Sequence, residues 1–401
     1  MSGRIDLARQ LLKDQELAVA KQMLAKESAD PEALYLLSLL HRYDDEYDLE
    51  KTVVDKALEI DGSNAYMRER LSWHDLPIFD RVVPRQPLHL PRDPKTIPST
   101  EVLENMCFVT GADSKYFQLM VECIESIKAT RLYKNVPICV LDCGLTDEDK
   151  DYLVKELHIK DIKDMATVCP EIQDGFLKNI FMRPRLDKLF PGYRYYFFID
   201  ADAWVYNENS IDMYIHYATQ YGIGISRDLC APKNGKFYGF FGCYPHVIAS
   251  SLWDEELIRK APAINAGIYC LDIQSNLCRK WAENVDVNIQ ERGLQNFTDQ
   301  SALSLALGAL NINSVLSSAN NYFYPVKSAY LENNLFYSID SKELLGCIHA
   351  AGGSNQLVKY TYYQTAALQK DGTQVKVSYR YRVWPWQDKP QIRNLIQGCT
   401  L

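Results

Sequence analysis

At 401 residues the chain exceeds the usual size of one compact domain, so a main domain with an appendage is expected. A net charge of −8 excludes a surface built wholly to grip nucleic acid, and 47% hydrophobic against 24% charged residues excludes global disorder. The 11 cysteines, all between Cys107 and Cys399, form no CxxC pair, which predicts reduced thiols rather than a disulfide framework or a zinc site. No apolar run approaches the roughly 20 residues that span a bilayer, and the start carries no leader pattern, so a soluble, cytoplasmic protein is expected.

Residues 4 to 75 repeat apolar positions at three- and four-residue spacing, as in Leu7, Leu11, Leu12 and Leu34, Leu37, Leu40, which predicts helical hairpins. The segments beginning at Met23 and Lys56 are similar and about 34 residues apart, the period of a tetratricopeptide repeat. Such a region either caps a catalytic domain or binds a protein partner. From Pro77 to Pro98 six prolines fall in 22 residues, which predicts an extended linker. The expected organisation is a helical, tetratricopeptide-like region over 1–76, a Pro-rich linker over 77–103, and a catalytic domain over 104–401.

Beyond the linker, strand and helix signals alternate, the pattern of a mostly parallel α/β sheet. Met106–Thr110 reads as a strand, Tyr116–Thr130 as a helix, Pro137–Asp142 as a strand, and Thr146–Leu157 as a helix with Thr146 as N-cap. Tyr195–Asp200 is a further strand. Near the end, Tyr360–Leu368 and Val375–Trp384 flank Lys370-Asp371-Gly372, which predicts a β-hairpin.

The chemistry concentrates where apolar strands end. Tyr195 to Ile199 is continuously apolar, as in a strand buried on both faces, and Asp200-Ala201-Asp202 follows it. Open parallel sheets bind ligands at the carboxyl ends of their strands, and alternate residues of an extended chain point the same way. Asp200 and Asp202 are therefore candidates for one divalent-metal and diphosphate site, with small Ala201 leaving room. The first strand ends in Thr110-Gly111-Ala112-Asp113 and reaches Tyr116, small residues and a carboxylate that suit close approach of a nucleotide; a plain helix N-terminus capped by Asp113 or Ser114 is the alternative.

In order, Arg185-Leu186, Pro191, Asp200-Ala201-Asp202, Asn265-Ala266-Gly267, Asp299-Gln300 and His349-Ala350-Ala351-Gly352 resemble the motifs of GT-A glycosyltransferases, most closely retaining family 8, over about residues 104 to 360. The resemblance implies a GT-A, Rossmann-like fold, a UDP-sugar donor, and Mn²⁺ (or Mg²⁺) held by Asp200, Asp202 and His349. It implies that Asp113 contacts the base, that Asn265, Asp299 and Gln300 lie near the donor sugar, and that Gly352 approaches phosphate. Two carboxylates and a neutral imidazole are also, on chemistry alone, a sound ligand set for a divalent ion. Arg185 suits donor phosphate or the bracing of a carboxylate, and Arg183 is the other candidate for that work. The family's Lys after His-x-x-Gly is replaced by Asn355, and Lys359 is a shifted candidate for the same charge.

The acceptor is expected to be a glycan, a lipid-linked molecule or a protein. The stretch Lys359 to Leu401 holds seven Lys or Arg against two Asp, interleaved with Tyr379, Tyr381, Trp384 and Trp386. It either rests on an anionic membrane surface or packs on the domain with its basic side in water. A sugar-phosphate nucleotidyltransferase, which would open on a Gly-rich loop with Arg and Lys, and a helical-repeat adaptor with an inactive transferase domain are the competing readings.

Overall fold

The computed structural model describes residues 7–8, 17–27, 29–43, 47–63, 87–228, 257, 260–294, 298–323, 329–333, 335–339, 341–350, 364–369 and 372–378. Gly352, Asn355, Lys359 and the aromatic-basic segment from Tyr379 onward lie outside them. The helices are α1 (Leu17–Lys26), α2 (Pro31–Tyr43), α3 (Tyr47–Ile60), α4 (Thr100–Glu104), α5 (Phe117–Lys128), α6 (Asp147–Lys155), α7 (Gly175–Met182), α8 (Asn209–Tyr221), α9 (Asn276–Arg292) and α10 (Thr298–Ala309), with shorter turns between them. The strands are β1 (Met106–Ala112), β2 (Ile138–Asp142), β3 (Asp161–Asp164), β4 (Tyr195–Ile199), β5 (Ala203–Val205), β6 (Ile223–Arg227), β7 (Ile264–Asp272), β8 (Tyr322–Phe323), β9 (Ala329–Glu332), β10 (Leu335–Ser338), β11 (Cys347–His349), β12 (Gln364–Gln369) and β13 (Gln374–Ser378). Among the described residues, no helix is long and apolar enough to cross a membrane.

The chain divides into two compact units. One comprises residues 1–83, 330–334 and 352–401. Its helices α1 to α3 pack Ala20, Leu24, Ala33, Leu34, Leu37, Val54 and Ala57 together, the three- and four-residue apolar spacing of their sequences. In the same unit β12 and β13 pair antiparallel from Gln364↔Ser378 to Leu368↔Gln374, and Gly372 between them takes a φ of 85°, which glycine adopts without cost.

The other unit, residues 84–329 and 335–351, is an α/β domain. Its six-stranded sheet runs β3-β2-β1-β4-β7-β6. Strands β1 to β4 are mutually parallel, and β7 runs antiparallel to both β4 and β6, so the sheet is mostly parallel, as the alternating pattern predicts. Every residue of β1, β2 and β4 is buried, the state that their unbroken apolar runs call for. The core on one side packs Val109, Leu141, Phe198, Tyr269, Trp281 and Leu303 together, each large side chain contributing about 1.5–3 kcal/mol by leaving water. Thr146 caps α6 through a capping box with Asp149.

The described part of the Pro-rich segment lies within this same unit. Leu88 N–H donates to Tyr206 O at 2.8 Å, Asn209 Nδ2 donates to Pro91 O at 2.8 Å, and Arg92 Nε donates to the buried Asp212 at 2.7 Å. Glu208, wholly buried, takes the Arg131 backbone N–H at 2.9 Å and its guanidinium Nε at 2.6 Å. Prolines keep this stretch out of helix and sheet, and polar contacts to the first turns of α8 fix its course instead.

A second small sheet, β5-β11-β8, lies in the same unit. β11 pairs antiparallel with β5, His349 opposite Ala203, and parallel with β8, His349 opposite Phe323. This sheet carries the late histidine back to the end of β4.

Candidate active site

Asp200 is the residue immediately after β4, and its backbone N–H donates to Gly267 O at 2.7 Å on the neighbouring β7. Ala203 N–H returns to Asp200 O at 3.0 Å, a tight turn that small, buried Ala201 permits. Asp202 O accepts the Ala350 N–H at 2.8 Å, which ties the triplet to the residue after His349.

The outcome is one cluster. His349 Nε2 lies 3.2 Å from Asp202 Oδ1 and 3.6 Å from Asp200 Oδ2. Asp200, Asp202 and His349 each offer a ligand atom, all within 4.8 Å of one another. Neighbouring ligands around an ion bound at about 2.1 Å stand roughly 3 Å apart, so these separations fit a shared divalent cation. Room for it is kept by Gly267, where a Cβ would come within 2.4 Å of His349 Cε1 and 2.5 Å of Asp200 Oδ2. Burial pushes the Asp200 carboxyl above its ordinary range; Arg183 and His349 oppose this, and Asp202 and Asp299 add to it. Two crowded carboxylates of this kind call for a cation.

Part of that charge comes from Arg183. It is 6% exposed, donates from Nη1 to Asp299 Oδ2 at 2.7 Å and from Nη2 to Asp200 Oδ1, and lies 4.7 Å over the Phe198 ring. Burial alone would lower its pKa, but the Asp200 and Asp299 carboxylates more than offset this and raise it. Asp200 is thereby divided, one oxygen on Arg183 and the other facing His349.

Arg185, the first candidate from sequence, points elsewhere. Its guanidinium donates to Phe181 O at 2.8 Å and to Asp286 on α9, and stacks over Phe181 at 4.4 Å. Arg183 and Arg185 share a 3₁₀ turn, where about three residues complete a revolution, so positions two apart face different ways.

The remaining sequence candidates fall as follows. Asp299 and Gln300 occupy the buried first turn of α10. Besides the ion pair with Arg183, Asp299 accepts from Trp281 Nε1 through its backbone carbonyl at 2.7 Å. Gln300 Oε1 accepts the Ala266 N–H at 2.9 Å, which leaves the buried Nε2 with no hydrogen-bond partner among the described residues. Asn265 Oδ1 accepts from the Gly267 N–H at 2.8 Å and from Asn321 Nδ2 at 2.9 Å. Thr110 and Ala112 are buried in β1, and Asp113 Oδ1 caps the following turn through Lys115 N–H and Tyr116 N–H at 3.0 and 3.2 Å. The cap and the nucleotide-contact readings of Asp113 are compatible, since the cap uses only one oxygen. The Tyr116 hydroxyl is held well above its usual range by burial first, then by Asp202, Asp113 and Asp200, so the end of β1 feels the charge of the Asp200–Asp202 cluster.

Two further polar residues of this unit, not singled out from the sequence, are almost fully buried. Lys178 on α7 is 8% exposed, and its amine has no hydrogen bond or ion pair among the described residues. It shares the surroundings of Cys143, whose thiol burial pushes up to about 12, with Asp142 and Asp113 adding and Lys178 and Arg183 opposing. Asn321, 1% exposed, meets His349 Nδ1 at 2.9 Å through Oδ1. Nothing in the local sequence marks it.

No family model and no curated protein matches the chain. Among solved structures, similarity is found to the galactosyltransferase LgtC in complex with donor and acceptor sugar analogues, with 15% identity over 63% of this chain and 89% of that one, at a TM-score of 0.39. The apo form of mouse xyloside xylosyltransferase 1 is similar at 10% identity over 54% and 87%, with a TM-score of 0.39. The apo WbbM bifunctional glycosyltransferase is similar at 14% identity over 64% of this chain and 47% of that one, with a TM-score of 0.39.

Proposed function

We propose that this chain is a metal-dependent glycosyltransferase that moves a sugar from a UDP-sugar donor to a glycan, lipid-linked or protein acceptor, with retention of configuration. The observation that carries the reading is the convergence of Asp200, Asp202 and His349 at the carboxyl end of β4, with Gly267 keeping the space between them open. An imidazole beside two carboxylates suits Mn²⁺ better than Mg²⁺, which prefers oxygen alone. When bound, the ion neutralises negative charge on the departing nucleoside diphosphate.

The chain's own groups supply the rest. Arg183 takes one oxygen of Asp200 and so aims the other into the cluster. Asp113 and Tyr116, at the end of β1, are the groups suited to the nucleoside. Gln300 Nε2 is a buried donor whose oxygen is already occupied by Ala266 N–H, which suits a hydrogen bond to a sugar oxygen. Inversion needs a carboxylate base near the sugar. Asp299, the candidate base singled out from the sequence, is 1% exposed and paired with Arg183, which supports retention.

The test is a screen of nucleotide sugars for Mn²⁺-dependent donor hydrolysis, repeated with Asp202→Asn. Turnover of a UDP-sugar that the variant loses is expected. No donor turned over, or a variant as active as the parent, contradicts the reading.

A further inference from the structure

His349 can reach a metal only through an unprotonated Nε2, and the structure contains a device that fixes where its proton sits. The chain of hydrogen bonds starts at the Gly267 backbone N–H, which can only donate. The Asn265 side-chain atom facing it at 2.8 Å is therefore the amide oxygen. Asn321 lies 2.9 Å from that same oxygen, so the atom it presents is its amide nitrogen. The Asn321 oxygen is thereby turned to His349 Nδ1, again at 2.9 Å. An amide oxygen only accepts, so Nδ1 carries a proton, and whenever the ring is neutral its lone pair is on Nε2, facing Asp202 and Asp200.

The opposite polarity is unstable. In a neutral ring protonated on Nε2 alone, Asn321 would have to donate to Nδ1 and set its oxygen 2.9 Å from the oxygen of Asn265. Rotating Asn265 to relieve that contact would put its NH₂ against the Gly267 N–H. Each alternative leaves like groups facing each other in a site where Asn321 is 1% and His349 2% exposed.

Backbone structure holds Asn321 in place. It closes the 3₁₀ turn Ser318–Asn320 and precedes β8, which runs parallel to β11 with Ile348 opposite Tyr322. The turn is fastened from α8, where Ser210 Oγ donates to Asn320 Oδ1 at 3.0 Å, and by Gly346 N–H to Ala319 O at 2.8 Å.

We infer that Asn321 is a positioning residue for the metal site: with Asn265 it forms a relay that locks His349 in the Nδ1–H tautomer and presents Nε2 to the cation. This deepens, and rests on, the metal-dependent reading of the site. It also gives Asn265 work through His349, since its oxygen is already taken by two donors.

The experiment uses the full chain with Asn321→Ala and Asn321→Asp. Mn²⁺ affinity is measured by the disappearance of the free-ion electron paramagnetic resonance signal. The tautomer is read from long-range ¹H–¹⁵N correlations of the metal-free protein at a pH high enough that the ring is neutral, His349 being assigned by difference with His349→Gln. The wild type should show Nδ1–H. Asn321→Ala should raise the Mn²⁺ dissociation constant roughly 10- to 100-fold and lose the pure Nδ1–H form. Asn321→Asp, which keeps an acceptor for Nδ1–H, should retain the tautomer and lose less affinity. A neutral His349 that carries its proton on Nε2 and not on Nδ1 in the wild type overturns the relay whatever the variants do. If the wild type binds Mn²⁺ and Asp202→Asn does not, while Asn321→Ala keeps both affinity and tautomer, the relay alone is wrong. If the wild type binds no Mn²⁺, the reading of the site fails and the relay's function fails with it.

Discussion

A methyl group at position 267 would meet the site on three sides: 2.4 Å from His349 Cε1, 2.5 Å from Asp200 Oδ2 and 2.9 Å from Asn265 Oδ1. Comfortable contact begins near 3.5 Å, so the ring and the carboxylate would each have to retreat by roughly 1 Å. Gly267 is not among the positive-φ residues, so alanine meets no backbone obstacle and the conflict is confined to the site. Overpacking of this kind costs about 1–3 kcal/mol of stability. Its effect on a bound ion is larger, because ligand distances hold to about 0.2 Å, and Asp200 and His349 cannot both stay within that tolerance. Gly267→Ala should therefore weaken Mn²⁺ binding at least about 100-fold, equivalent to about 2.8 kcal/mol, while the protein still unfolds cooperatively. Mn²⁺ titration by paramagnetic resonance, alongside thermal unfolding without metal, measures both. A folded variant with parental Mn²⁺ affinity would refute the placement of the ion between these groups.

Three further outcomes follow from charges in the same unit. Arg183→Met leaves the buried Asp299 and the partly exposed Asp200 without their shared cation, and should cost about 3 kcal/mol at neutral pH; the loss should shrink in acid as the Asp200 carboxyl, raised by burial, protonates, and equal losses in urea unfolding at pH 7 and pH 4 would contradict it. Burial alone would raise the Glu208 carboxyl, but the Arg131 backbone N–H and guanidinium and His89 bring it below its ordinary 4.5. Its contribution is therefore complete above about pH 4.5 and lost as the pH falls through the depressed value, so the stability gap between wild type and Glu208→Gln should narrow in that acid range; a gap constant from pH 7 to pH 3 would rule this out. We assign Lys178, whose amine has no ion-pair partner among the described residues, to the donor phosphates: Lys178→Met should lower affinity for UDP with Mn²⁺ by about 10-fold with little change in ligand-free stability, and calorimetry showing unchanged UDP affinity would contradict that assignment.

The sequence announces what depends on local pattern. β4 and the Asp200-Ala201-Asp202 turn are legible because an apolar run buried on both faces must end where ligands gather, and Thr146 with Asp149 marks the start of α6. His349 is chemically apt, but only the ordered resemblance brings it to the triplet, since the β5–β11 pairing that does so links distant segments. The choice between Arg183 and Arg185 turns on the pitch of one 3₁₀ turn, which two nearly adjacent arginines do not reveal. Asn321 is invisible for a similar reason, because an asparagine after a serine-rich turn reads as loop chemistry and its partner is fixed by tertiary contacts. The described part of the Pro-rich segment, 87–98, is non-helical as expected, yet proline content says nothing of Arg92 reaching Asp212.

Anomalous diffraction from crystals soaked in Mn²⁺ and UDP tests the central claim most directly. The account predicts one strong manganese peak between the Asp200 Oδ2, Asp202 Oδ1 and His349 Nε2 atoms, with diphosphate oxygens completing its coordination and the peak absent in Asp202→Asn. A fully occupied peak elsewhere, or UDP ordered in the site with no manganese beside these three residues, would contradict it.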